Sequence, residues 1–124
     1  MDIPKVFESE YRFCRILWEN EPVRSGELVK LCREKLGWKP TTTYTVIKRL
    51  GERGVLVNEN SVVHSLVSRD EVSAAEADEV VESRFDGSLP AFISAFASSK
   101  PLTDAELDEM QRMIEEYRKG GGDG

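Results

Sequence analysis

The apolar residues of this chain change their spacing abruptly at Gly54, and that switch constrains the fold more than any other feature. Before it they recur every three or four positions, ending in Val46, Ile47 and Leu50. After it they crowd into two short β-branched runs, Val55-Leu56-Val57 and Val62-Val63-His64-Ser65-Leu66-Val67. The first spacing buries one face of a helix, and the second suits strands. A set of helices is therefore expected to close with a hairpin.

The first helix is expected over Glu8–Glu19, with Ser9 as N-cap and Tyr11, Cys14, Leu17 and Trp18 facing inward. Pro22 ends it, because proline cannot continue the hydrogen-bond ladder. Ser25 is expected to cap a second helix, with Glu27 in its first turn and Leu28, Leu31, Cys32 and Leu36 buried. After the turn Gly37-Trp38-Lys39-Pro40, a third helix runs from about Thr42 to Arg53, and Gly54 supplies its C-terminal cap. Thr43, Val46, Ile47 and Leu50 point inward, while Thr42, Thr45, Lys48, Arg49 and Glu52 point outward with Tyr44 at the margin. Asn58-Glu59-Asn60-Ser61 reads as the hairpin turn. Three helices followed by a hairpin is the order of a winged helix-turn-helix. The expected fold class is mainly α with a small β-hairpin.

From Asp70 the chain becomes acidic and helical again. Ala74, Ala77, Val81 and Phe85 form one stripe, and Asp86-Gly87 breaks it. Ser88 starts a further helix with Leu89, Phe92, Ile93 and Phe96, and Pro90 is tolerated in its first turn. Thr103-Asp104-Ala105-Glu106 is a capping box opening a last helix with Leu107, Met110, Ile114 and Tyr117 on one face. These faces follow a domain that already has a core, and a second copy is the economical cover. The division expected is a winged-helix domain over 1–69, a helical dimerisation segment over 70–119 and a frayed tail over 120–124. The dimerisation set is Val81, Phe85, Leu89, Phe92, Ile93, Phe96, Leu107, Met110, Ile114 and Tyr117.

The net charge of −6 is unevenly spread. Residues 1–69 hold 12 Lys/Arg and 9 Asp/Glu, a net of +3, whereas residues 70–124 hold 5 and 14, a net of −9. A basic half joined to an acidic half is a two-function layout, and the basic half is where phosphates can bind. The two cysteines, Cys14 and Cys32, fall at apolar helix positions with no metal-ligand spacing, so buried free thiols and no metal or other cofactor are expected. No apolar run approaches the roughly 20 residues of a membrane span. The N-terminus lacks the layout of a signal peptide, so a cytoplasmic protein with no membrane partner is expected. One histidine, His64, and no nucleotide-binding or nucleophile motif argue against an enzyme.

The third helix has what a DNA-reading helix needs. Its back is apolar, its front carries short hydroxyls near the N-terminal end, and cations flank it. Thr42, Tyr44 and Thr45 are the candidate base contacts, and Lys39, Lys48, Arg49 and Arg53 are the candidate phosphate contacts.

The pattern Ser9-Glu10 … Ile16-Leu17-Trp18, Glu27-Leu28 and Thr42-x-x-Thr45-x-x-x-Arg49-Leu50-x-x-x-Gly54-Val55-Leu56 resembles the penicillinase-repressor family of winged-helix regulators. Arg84-Phe85-Asp86-Gly87-Ser88-Leu89 and Leu102-Thr103-x-x-Glu106-Leu107 resemble that family's dimerisation segment. The resemblance implies a homodimer that binds a palindromic operator in double-stranded DNA and represses transcription. It also implies a regulatory protease as partner. The bond matching the family's cleavage point is Ala95–Phe96, where Ala95 replaces an Asn. Four further departures stand out: the wing turn has no Lys or Arg, Tyr44 replaces a polar or basic residue, Thr43 replaces an aliphatic one, and the cysteine-rich motif of copper-responsive members is absent. The competing reading is a winged-helix protein-interaction module with weak or lost DNA binding, supported by that wing and by the acidic half.

Overall fold

A computed structural model describes residues 2–120. The chain forms two compact units, residues 1–79 and residues 80–124. In the first unit, helix α1 (Glu8–Asn20) is followed by a two-residue strand β1 (Val23–Arg24), helix α2 (Ser25–Leu36) and helix α3 (Pro40–Glu52). Strands β2 (Leu56–Glu59) and β3 (Val62–Ser65) form the hairpin, and helix α4 (Arg69–Phe85) follows. The boundary between the units falls inside α4, because its first turns belong to the N-terminal core through the buried Val72. This is a winged helix followed by a C-terminal helical segment.

The core is built from the stripes of the helices. Glu10, Phe13, Cys14 and Leu17 bury one face of α1 at the i, i+3, i+4, i+7 spacing of an amphipathic helix. Leu28 and Cys32 of α2 meet Val46, Ile47 and Leu50 of α3, with Val55, Leu56 and Val63 from the hairpin. Tyr11 and Trp18, expected inside, are only half-buried and pack edge to face with ring centroids 5.6 Å apart. Burial pushes the Cys14 thiol up to about 12, and it raises the Cys32 thiol as well.

Several boundaries differ from the sequence reading. Helix α1 begins at Glu8, and Phe7, not Ser9, precedes it. The Phe7 N–H donates to Glu10 Oε1 at 3.0 Å, the return half of a capping box. Ser25 is the first residue of α2 and Arg24 is its N-cap. Helix α3 starts at Pro40, two residues early, since proline suits a first turn whose N–H has no partner. Gly54 ends α3 as expected, at φ +83°, with Val55 N–H donating to the Leu50 carbonyl at 2.9 Å in a Schellman arrangement. Asn58 and Glu59 belong to β2, so the hairpin turn is Asn60-Ser61, both with positive φ, as a two-residue hairpin loop requires.

Strand β1 was not anticipated. It makes the sheet three-stranded in the order β1-β3-β2, with Val23 opposite Val63 and Arg24 opposite Val62. Side chains fasten the hairpin to the helices. Trp18 Nε1 donates to the Val67 carbonyl at 2.9 Å, and the Glu21 carboxylate accepts the Ser65 N–H at 2.6 Å and its hydroxyl at 2.8 Å.

The second unit contains the end of α4, helix α5 (Leu89–Ser99) and helix α6 (Asp104–Gly120). Asp86 and Gly87, at φ +50° and +77°, end α4. Ser88 Oγ accepts the Ala91 N–H at 3.1 Å, and Thr103 and Glu106 close the expected capping box. Gly120, expected in the tail, is the last residue of α6; residues 121–124 lie outside the described residues. Among the described residues no helix is long and apolar enough to cross a membrane.

Thr43 is fully buried, and among the described residues its hydroxyl has no oxygen or nitrogen partner, while the Cys32 thiol lies within its reach. A buried hydroxyl left unpaired costs roughly 1–3 kcal/mol. Thr43→Val keeps the shape and removes the hydroxyl, so it is expected to stabilise the fold by about 1 kcal/mol. A higher urea midpoint at unchanged slope is the expected reading; an unchanged or lower midpoint would mean that the thiol satisfies the hydroxyl.

Candidate nucleic-acid interface

Helix α3 separates two chemistries. Thr43, Val46, Ile47 and Leu50 are buried, and Thr42, Tyr44, Thr45, Lys48 and Arg49 are exposed. Thr42, Thr45 and Arg49 lie three and four residues apart and share one ridge of the helix, while Tyr44 and Lys48 share the next. Tyr44 is 48% exposed. Lys39 is the N-cap residue of α3 and is exposed. Ser9 of α1, Trp38, Thr42, Thr45 and Arg49 line a shallow depression of about 400 Å³ along the ridge.

The hydroxyl of Thr45 donates to the Thr41 carbonyl at 2.8 Å. A hydroxyl has one proton and two acceptor positions. In this geometry the proton is spent inside the helix, and Thr45 offers outward lone pairs and a methyl group. Those match an amino group of adenine or cytosine and the methyl of thymine.

Arg53 stands apart from the other candidate cations. Its side chain is 27% exposed, and it donates to the Lys5 carbonyl at 2.9 Å and to Glu10 Oε2. Its guanidinium also lies 5.2 Å from the centre of the Phe7 ring. The arginine expected to reach phosphate is thus held inside the domain. Arg49 Nη1 lies 3.6 Å from the same Glu10 oxygen, a looser pairing that leaves it largely in solvent. Lys39 and Lys48 make no ion pair among the described residues. Asn60 and Ser61 at the hairpin turn carry no charge.

Glu10 is the residue that periodicity did not single out. It is 2% exposed. Burial works to raise its carboxyl, but hydrogen bonds from Arg53 and the Phe7 N–H, with the charges of Arg53 and Arg49, outweigh it and hold the group below the ordinary carboxylate range. The available signal was an acidic residue at the first position of the stripe Glu10, Phe13, Cys14, Leu17.

Glu10→Gln removes the charge that compensates a mostly buried guanidinium. The expected cost is about 2–3 kcal/mol, below that of breaking a fully buried pair because Arg53 keeps some water. The contribution of Glu10 is fully present above the ordinary carboxylate pKa and is lost as pH falls through the lowered folded value. Urea midpoints taken down through that acid range are expected to fall more steeply for the wild type than for Glu10→Gln. Parallel acid limbs would remove this role from Glu10.

Comparison with known proteins fits this geometry. The family model described as Penicillinase repressor matches residues 7–116. A penicillinase repressor of Bacillus licheniformis is 22% identical over 121 residues, covering 94% of this chain and 94% of its own length. With an exposed, hydroxyl- and cation-bearing α3 on a winged-helix core and a family match that runs from α1 into α6, the chain belongs to the penicillinase repressor family.

Proposed function

We propose that this protein is a transcriptional repressor that binds double-stranded DNA as a homodimer, with one α3 helix in the major groove of each half of a palindromic operator. The observation that carries the reading is the division of α3 into a buried apolar back and a front of hydroxyls, one tyrosine and cations. Family membership supports it. Thr42, Tyr44 and Thr45 are the base-reading set, and Lys39, Lys48 and Arg49 hold phosphates. Arg53 is left out of that set because Glu10 and the Lys5 carbonyl engage it. A two-fold dimer accounts for the palindrome, since the symmetry of the operator mirrors that of the protein. Its working compartment is then the cytoplasm.

The second unit supports the dimer. None of the residues of α5 and α6 is buried within one chain, and Tyr117 is 71% exposed. Phe92, Ile93 and Phe96 of α5 and Met110 of α6 line an apolar groove of about 510 Å³. Leu89, Leu107 and Ile114 add exposed apolar surface, while Val81 and Phe85 are half-buried at the end of α4. Apolar faces of this kind on a small chain mark an interface. If repression ends by proteolysis at Ala95–Phe96, the protease has to unwind α5, because that bond lies within the helix.

The protein-interaction reading keeps one observation in its favour, an uncharged hairpin turn in a chain whose C-terminal half is acidic. Two measurements decide. In sedimentation the full chain is expected to be dimeric at tens of micromolar and Ile114→Asp with Tyr117→Asp monomeric; a monomeric wild type would end the dimer. In titrations against varied duplexes, Arg49→Ala is expected to weaken all sequences alike. Tyr44→Ala and Thr45→Ala are expected to shift the preferred sequence, each losing about 1–3 kcal/mol on the best site. The three phosphate contacts of α3 and its N-cap contribute about −5 per dimer to the slope of log K on log salt, and any further contact steepens it. Binding to no duplex, even at low salt, would transfer the assignment to protein interaction.

A further inference from the structure

A hairpin beside a DNA-reading helix contributes to binding only if a group on it meets the backbone. Residues 56–65, which span both hairpin strands and their turn, contain no Lys or Arg. The sheet brings a cation there from elsewhere. Arg24 of β1 is in register with Val62, the residue directly after the turn. The next residue, Ser25, donates its N–H to the Ser61 carbonyl at 2.8 Å. Partnered residues of an antiparallel ladder sit about 5 Å apart at Cα, so Arg24 springs from the base of the turn.

Stability does not account for an arginine at this position. Val23 is buried and Arg24 is exposed. Arg24 is the N-cap of α2, yet its side chain makes no capping hydrogen bond and no ion pair among the described residues. A positive charge at a helix N-terminus also opposes the helix dipole. The other cations near the end of α2, Arg33 and Lys35, lie in its last turn, where the dipole favours them. Arg24 is therefore a cation kept where the fold alone would prefer Ser, Thr, Asn or Asp.

We infer that Arg24 is the phosphate contact of the wing, meeting the DNA backbone beside the groove that α3 enters. The inference rests on the DNA-binding reading above and adds a fourth phosphate contact to each protomer. A phosphate at this position satisfies the guanidinium with the paired acceptor geometry that suits it and reverses the unfavourable interaction with the dipole. The strand β1, two residues long, then has a functional use: it fixes a charged side chain to a hairpin whose own turn has none.

The test measures the affinity of the full-length protein for a mixed-sequence duplex across a salt series, with melting temperatures measured in parallel. Arg24→Ser is expected to melt no lower than wild type, because it gains a cap and loses an opposed charge. Its slope of log K on log salt is expected to be shallower by about 0.9 per protomer. Arg24→Lys is expected to keep the wild-type slope, and Asn60→Lys on the Arg24→Ser background is expected to restore it. An Arg24→Ser slope equal to that of wild type overturns the inference while leaving the repressor reading intact. A lost slope that Asn60→Lys does not restore puts the contact away from the wing and also overturns it. If the wild type binds no duplex at low salt, the DNA-binding reading fails first and this inference with it.

Discussion

Glu10 is a carboxylate with almost no access to water, and the start of α1 and the end of α3 meet on it. It accepts the N–H of Phe7 at the start of α1 and the guanidinium of Arg53 at the end of α3, and Arg53 in turn holds the Lys5 carbonyl. Taking a carboxylate out of water costs several kcal/mol unless charge and hydrogen bonds return it. Here they come from both sides, so neither segment can drift without exposing the other's cost. The last turn of α3 is thereby fixed to α1, while its first turns keep their outer face in solvent. A helix that must present side chains to a rigid partner benefits from being anchored at its far end.

The cations of the unit fall into distinct roles once this anchor is recognised. Arg53 works inward and Arg49 stands between Glu10 and solvent. Lys39 and Lys48 face outward from the N-terminal and middle turns of α3. The hairpin is equally constrained, since the Glu21 carboxylate clamps Ser65 and the indole of Trp18 holds Val67. Both the helix and the wing are thus shaped before any partner arrives, which limits the ordering cost of association.

Much of this was legible from residues. The two faces of α3 follow from helical spacing, and the structure buries Thr43, Val46, Ile47 and Leu50 as that spacing requires. Ser88 and the Thr103–Glu106 pair signal helix starts because their hydrogen bonds are local. What escaped was long-range. Strand β1 is two residues with no pattern of its own, and it exists only because β3 pairs with it forty residues later. The purpose of Glu10 depends on Arg53, 43 positions away, so the expected stripe of Tyr11, Cys14, Leu17 and Trp18 left it out. Arg53 was expected among the phosphate contacts, and its pairing with Glu10 is hidden by the same sequence distance. Helix starts shifted where the Glu10 carboxylate accepts the Phe7 N–H, and where Pro40 has no N–H to satisfy, rather than at a serine cap.

The two thiols carry a last consequence. Cys14 and Cys32 are both buried in the N-terminal core, and burial suppresses their ionisation, that of Cys14 to about 12. Peroxides and disulfides are attacked by thiolates, and a thiol this protonated and enclosed is a poor nucleophile. The cysteines of this domain are packing groups, and neither presents an exposed thiolate to an oxidant. The oxidisable sulfur that solvent reaches lies instead in α6, at Met113.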